Sequence, residues 1–238
     1  VTRTLLWRGM LAGILAALLA TLVARVIAEP QIDLAIGYEA SHAAHHAPAA
    51  AEEPELVSRD TQKGAGLFTA LALYGAAVGG IFSLVFAYGY GRFGRIGPRS
   101  FALLLAGLAF LLIVIVPGIK YPQTPPAVGQ HETVGIRTAA YFMMIGLSIA
   151  AAVIAAHVRT ALLRSLRPID ATLLAVGAFA LVVGVGQYLL PVINEVPADF
   201  PATLLWNFRI ASIASQAVLW GTIGIAFGLW AEPVLRRA

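Results

Sequence analysis

Two sets of side chains in this sequence have the chemistry to hold a metal cation. The first is His42-Ala43-Ala44-His45-His46, three imidazoles within five residues. Imidazole is a ligand for divalent Zn, Cu, Ni and Co and is neutral close to physiological pH. Glu39, Glu52 and Glu53 flank the cluster and could add oxygen ligands. The second set is carboxylates beside prolines: Glu29 and Asp33 around Pro30, and Glu195 shortly after Pro191. Acids at the mouth of a membrane protein raise the local cation concentration and can replace part of a hydration shell. The two sets differ in order. His42–Pro54 is rich in Ala, Pro, Glu and His, a composition that does not build a core. Ordering it on a metal costs roughly 1–2 kcal/mol for each backbone unit fixed. Glu29, Asp33 and Glu195 are expected to be better pre-organised. The competing readings are a solvated tail that happens to contain histidine, and ordinary loop acids.

Other chemistries are poorly represented. The chain has no cysteine and three methionines, so a thiolate site or a soft Cu(I) path is not expected. It contains no G-x-x-x-x-G-K-[ST] loop, no H-E-x-x-H and no G-x-S-x-G. Neither a catalytic residue nor a permanently bound cofactor is indicated, and the chain is not expected to be an enzyme.

The elements that must position these residues are apolar. Hydrophobic residues make up 59% of the chain, charged residues only 12%, and mean hydropathy is +0.82. Soluble domains carry about twice that charge fraction. Six stretches, Leu5–Ala28, Ala65–Tyr88, Phe101–Ile119, Thr138–His157, Ala171–Val192 and Ile210–Trp230, are each near the ~20 residues a helix needs to cross ~30 Å of hydrocarbon. Continuous runs such as Leu103–Val116 lack the two-residue alternation of a membrane β-barrel. The expectation is an all-α, polytopic protein forming one transmembrane domain over residues 1–238.

Charge gives the orientation. The odd-numbered polar segments hold Arg3, Arg8, Arg92, Arg95, Arg99, Arg159, Arg164, Arg167, Arg236 and Arg237. The even-numbered segments hold ten of the twelve acids and four of the five histidines. Basic loops stay cytoplasmic, so both termini are expected inside and the acids and histidines outside. The first span is read as retained, because its apolar run exceeds the ~7–15 residues of a signal-peptide core. Pro30 is expected to stop that span, leaving outer loop 29–64 partly disordered until Ser58-Arg59-Asp60 begins the return. The second and third outer loops share a proline near the outgoing helix end and an Arg at re-entry, Arg137 and Arg209, which hints at three related helical hairpins. Small-xxx-small pairs at Gly9/Gly13, Gly75/Gly79 and Gly224/Gly228 are read as bundle packing. Gln187 and Gln216, deeper in the spans, are read as making interhelical bonds.

Several short segments occur together in order. They are Trp7-Arg8-Gly9-Met10 leading to Glu29-Pro30 and Asp33, then Ser58-Arg59-Asp60, then Lys120-Tyr121-Pro122 with Pro125-Pro126-Ala127-Val128-Gly129. Leu190-Pro191, Asn194-Glu195-Val196-Pro197 and Phe200-Pro201 follow. In these the chain resembles the CbtA family, proposed cobalt transporter subunits. The resemblance implies a bacterial inner-membrane protein taking up cobalt for cobalamin synthesis. It also implies a partner, CbtB, a small single-span protein with a His-rich end. The matched segments contain Glu29, Asp33, Lys120, Asn194 and Glu195, and they define no catalytic residue. The expected function is the membrane subunit of a transition-metal uptake system carrying cobalt. The alternative is a non-transporting scaffold or assembly factor for a partner membrane protein.

The topology is tested by single cysteines in intact cells. Cysteine at Ala51 or Ala127 should react with an impermeant thiol reagent added outside, and cysteine at Ser165 should not. Labelling at Ser165 would overturn the assigned orientation.

Overall fold

The computed structural model describes residues 1–46, 57–92, 94 and 96–236, and for residues 43–46 and 131 the backbone alone. The part of the expected disordered stretch at 47–56, with Glu52 and Glu53, lies outside the described residues. Among the described residues the structure is all-helical. Six helical stretches are long and apolar enough to cross a membrane: Thr2–His42, Arg59–Gly89, Pro98–Lys120, Val134–Leu162, Pro168–Leu189 and Ala202–Leu235. They are built from α1 (Thr2–Val23), α2 (Glu29–His46), α3 (Arg59–Thr61), α4 (Leu67–Gly89), α5 (Pro98–Phe110), α6 (Val116–Lys120), α7 (Val134–Leu162), α8 (Pro168–Leu189) and α9 (Ala202–Leu235).

The first span does not end at Pro30. A wider π turn, Ala24–Ala28, joins α1 to α2, and the helix runs on through Glu29, Pro30 and Asp33 to His46. The physical reason is local. Proline lacks an N–H and its ring crowds the carbonyls of the preceding turn. In the widened turn the Glu29 N–H reaches back five residues to the Ala24 carbonyl, which makes room for the ring without breaking the helix. The same register recurs further on, where the π turn Leu111–Ile115 ends two residues before Pro117. At the third corresponding position α8 stops at Leu189, ahead of Pro191. As expected, Ser58 begins the return: its backbone is extended and its Oγ accepts from the Thr61 N–H.

The chain divides by packing into two compact units, Val1–Phe110 with Thr124–Ala127 and Phe200–Ala238, and Leu111–Gln123 with Val128–Asp199. In the first unit two of the small-xxx-small pairs face each other. A Cβ on Gly9 would fall on the Gly79 carbonyl oxygen, and one on Gly13 would fall on that of Gly75. The converse also holds, with Gly75 against Gly13 and Gly79 against Gly9. The pairs therefore interlock antiparallel, backbone on backbone. Lipid tails offer no hydrophobic drive for helices to associate, so this closeness supplies the dispersion contact instead. Gly224 and Gly228 of α9 make room instead for the Ala106 and Ala102 methyl groups of α5. Beside them Phe82, Phe86, Phe101 and Phe227 form an edge-and-tilt cluster with ring centroids 4.9–5.4 Å apart. At the far end of α1 the contact layer is Ala24 and Ala28 on Ala211.

In the second unit α6, α7 and α8 pack around Val116, Met144, Ala151 and Val183. Three polar side chains bond to backbone carbonyls beside the Pro117 break. Pro117 removes the N–H that would have met the Ile113 carbonyl, and Tyr141 Oη donates to that oxygen at 3.1 Å. Ser148 Oγ donates to the Leu112 carbonyl. Gln187 Nε2 donates to the Val116 carbonyl at 3.3 Å, the interhelical role expected of it.

The glycine interlock predicts that Gly13→Ala is destabilising, because its Cβ meets fixed backbone. Overpacking typically costs about 1–3 kcal/mol. Gly221→Ala meets nothing within 4 Å and should be neutral or mildly stabilising. Thermal unfolding of both variants in detergent checks this, and equal melting temperatures would contradict it.

Candidate functional site

Glu29 and Asp33 are four residues apart on α2 and so share a face. Arg59 and Lys63 are four residues apart across α3 and the π turn that follows, and they meet that face. Arg59 Nη2 donates to Glu29 Oε2 at 2.8 Å and lies 3.4 Å from Asp33 Oδ1. Lys63 Nζ donates to Asp33 Oδ2 at 2.6 Å. The four groups form a ladder of two negative and two positive charges that ties α2, which continues the first span, to the start of the second. The Glu29 side chain is 10% exposed and that of Asp33 44%, so the ladder runs from the packed bundle toward solvent. The Lys63 hydrogen bond, ahead of the charges of Lys63 and Arg59, holds the Asp33 carboxyl below its ordinary value, against the opposing effect of burial.

The carboxylates were expected to be open to a cation; the geometry gives each a basic partner. The structure pairs Glu29 with Arg59. The signal was present, since an acidic pair at spacing four is followed thirty residues later by a basic pair at the same spacing.

The histidines occupy the end of α2. Helix through His46 puts positions 42, 45 and 46 at i, i+3 and i+4, a register that shares one side of a helix. A loop without helical spacing was expected there. The His42 ring stacks on Tyr38, with centroids 3.9 Å apart, and Tyr38 meets the edge of Phe200. His42 Nδ1 is 3.0 Å from the Tyr38 carbonyl oxygen. A carbonyl only accepts, so Nδ1 is the donor in this bond. Along a helix His42 is about 14 Å beyond Asp33 at ~1.5 Å per residue. The histidines and the Glu29/Asp33 pair are thus separated along α2. Among the described residues no three of His, Asp and Glu come together as a ready ligand set.

Glu195 belongs to the second unit, where it fastens one loop to another. Its Oε2 accepts the Gln130 backbone N–H at 2.8 Å and lies 3.5 Å from Arg137 Nε. Hydrogen bonds from Thr133 first, and from the Gln130 backbone second, hold its carboxyl below the ordinary value. Gly129 is required beside it, with φ +116° and the Arg137 guanidinium lying where a Cβ would be. Asn194 Oδ1 accepts the Val196 N–H at 3.4 Å and shapes the same turn.

Six apolar helices with polar groups gathered at their ends define an integral membrane protein. Its family follows from comparison: the chain belongs to the CbtA family, whose model, described as "Probable cobalt transporter subunit (CbtA)", matches residues 2–232. No curated protein and no solved structure matches the chain. The family's description names cobalt as a transported substrate.

Both shifted carboxyls have a defined pH consequence. A carboxyl whose folded pKa is depressed adds stability in full above its unfolded value and loses it as pH falls through the folded one. The ordinary values are 3.8 for Asp33 and 4.5 for Glu195. Melting temperature in detergent should therefore receive the full contribution of these groups above about pH 5.5 and lose it increasingly below the two ordinary values. The double variant Asp33→Asn, Glu195→Gln should show a shallower acid loss; an acid limb as steep as that of the parent would refute the assignment.

Proposed function

We propose that this chain is the membrane subunit of a cobalt uptake system of the bacterial inner membrane, with both termini cytoplasmic. The family match over residues 2–232 is the observation that carries the reading. His42, His45 and His46 form the collecting station at the outer end of α2. Glu29 and Asp33 form a second station nearer the bundle, and Glu195 a third in the other unit. Charge arithmetic supports the α2 station. Arg59 and Lys63 together neutralise two carboxylates, and one divalent cation supplies the same charge. Exchange of the two bases for one metal leaves the local charge unchanged, so the carboxylates need not be exposed unpaired in the resting protein. Arg137 guards Glu195 in the same manner. Mixed nitrogen and oxygen ligands suit octahedral Co²⁺, but affinity alone would favour Ni²⁺ or Cu²⁺. Selectivity then rests on geometry or on a partner, here a small single-span, His-bearing, CbtB-like protein. The chain has no nucleotide loop, and its six apolar stretches of sequence, such as Leu5–Ala28 and Ile210–Trp230, hold no acid to relay protons, which supports dependence on such a partner.

Uptake of radiolabelled cobalt across a concentration series tests the reading. Replacing His42, His45 and His46 together by Ala should lower uptake at scarce metal and leave the saturating rate nearly intact. Glu29→Gln with Glu195→Gln should lower the saturating rate. Loss of transport at every concentration in the histidine variant, or parental behaviour of the carboxylate variant, would reverse the order of stations. Uptake unchanged by deletion of the chain would favour the scaffold reading.

A further inference from the structure

The end of the first unit opposite the carboxylate ladder carries an open groove of about 370 Å³ lined by Arg8, Leu11, Leu229, Trp230 and Pro233. It runs between α1 and α9. These helices are antiparallel, because Arg8 meets Trp230 while Ala24 and Ala28 meet Ala211 at the other end. Arg8 Nη1 donates to the Trp230 carbonyl, about one helical turn from Pro233, which lies inside α9. That bond uses one of the five N–H donors a guanidinium carries and holds the group at the groove's outer end. Leu11 lies one turn deeper than Arg8 on α1, and Leu229 one turn deeper than Pro233 on α9. Both are exposed, at 52% and 45%, on surfaces that the bilayer must cover.

The groove therefore has a cationic end at the membrane boundary and an apolar end in the hydrocarbon. Its charge surroundings favour an anion. Glu232, next to Pro233, pairs with Arg99 and with Arg236, so Arg8, Arg99 and Arg236 outnumber it by two charges. Trp7, beside Arg8, is 57% exposed, and Trp230 lines the groove; indoles concentrate at the headgroup level of membranes. Free phosphate could use the guanidinium alone and would leave the apolar wall uncovered.

We propose that this groove binds one anionic phospholipid, its headgroup phosphate on Arg8 and an acyl chain along Leu11 and Leu229. The site would anchor α1 to α9 near Pro233, independently of any metal carried elsewhere in the molecule.

The purified chain in detergent is titrated with phosphatidylglycerol, phosphatidylcholine or inorganic phosphate, and followed by native mass spectrometry and thermal unfolding. Phosphatidylglycerol should bind in preference to phosphatidylcholine, roughly fivefold for a single basic contact, and should raise the melting temperature. Arg8→Gln should lose that preference. Because Arg8 also holds the Trp230 carbonyl, a second variant keeps Arg8 and fills the groove instead: Leu11→Trp should lose the bound phosphatidylglycerol. Arg164→Gln, in a loop of the other unit, should behave as the parent. Equal binding of the two lipids, competition by inorganic phosphate, or retention of bound phosphatidylglycerol in Leu11→Trp would overturn the proposal.

Discussion

Backbone polar groups in hydrocarbon have no water to turn to, and every departure from regular helix must be repaired by protein. The chain places prolines 30 and 117 near the ends of its first and third apolar stretches, where each removes an N–H. Both repairs begin with a π turn ending two residues earlier. In the second unit the repair is completed by neighbours. Tyr141 takes the carbonyl that Pro117 leaves without its usual donor, and Ser148 and Gln187 bond to carbonyls on either side. Interhelical bonds of this kind are individually modest, about 0.6 kcal/mol on average in membrane proteins. Here they also choose which faces of α7 and α8 meet the broken helix.

The repair at Pro30 has the larger consequence for function. Because the helix passes through the proline, Glu29, Asp33 and the histidines lie along one rod. Helical spacing then decides which acids share a face, and the returning segment presents Arg59 and Lys63 at the matching interval. The resulting ladder is electrically neutral in itself. Glu195 reaches a similar state through different elements, with Arg137 and a backbone N–H as partners. Under the proposed function, pairing with bases keeps these carboxylates from standing bare in a low-dielectric setting, and exchange of the bases for the cation would free them to bind it.

Much of the architecture is legible from residue types alone. Six spans follow from the length of apolar runs against bilayer thickness, a one-dimensional constraint that does not depend on which helices touch. The start of the second span at Ser58 follows from local capping chemistry in the same way. The family is legible too, from Trp7-Arg8-Gly9-Met10 through Asn194-Glu195-Val196-Pro197, because those segments recur in order and need no contact map.

What the tertiary structure decided is partnership. Gly9 and Gly13 are recognisable as a packing face, but only the fold shows that they interlock with Gly75 and Gly79 rather than with the equally suitable Gly224 and Gly228. Pro30 reads as a helix stop, since a proline penalises the regular helix; the π turn is another way to accommodate it, and packing at Ala24 and Ala28 accompanies that continuous helix. Glu29 and Asp33 read as free ligands, because a carboxylate's availability depends on charges thirty residues away in sequence. Sequence by itself therefore determined the number of spans and the inventory of ligating groups, which are properties of single segments. Only the three-dimensional structure decided which charges meet, because an ion pair is set by distance in space and carries no local signature in the chain.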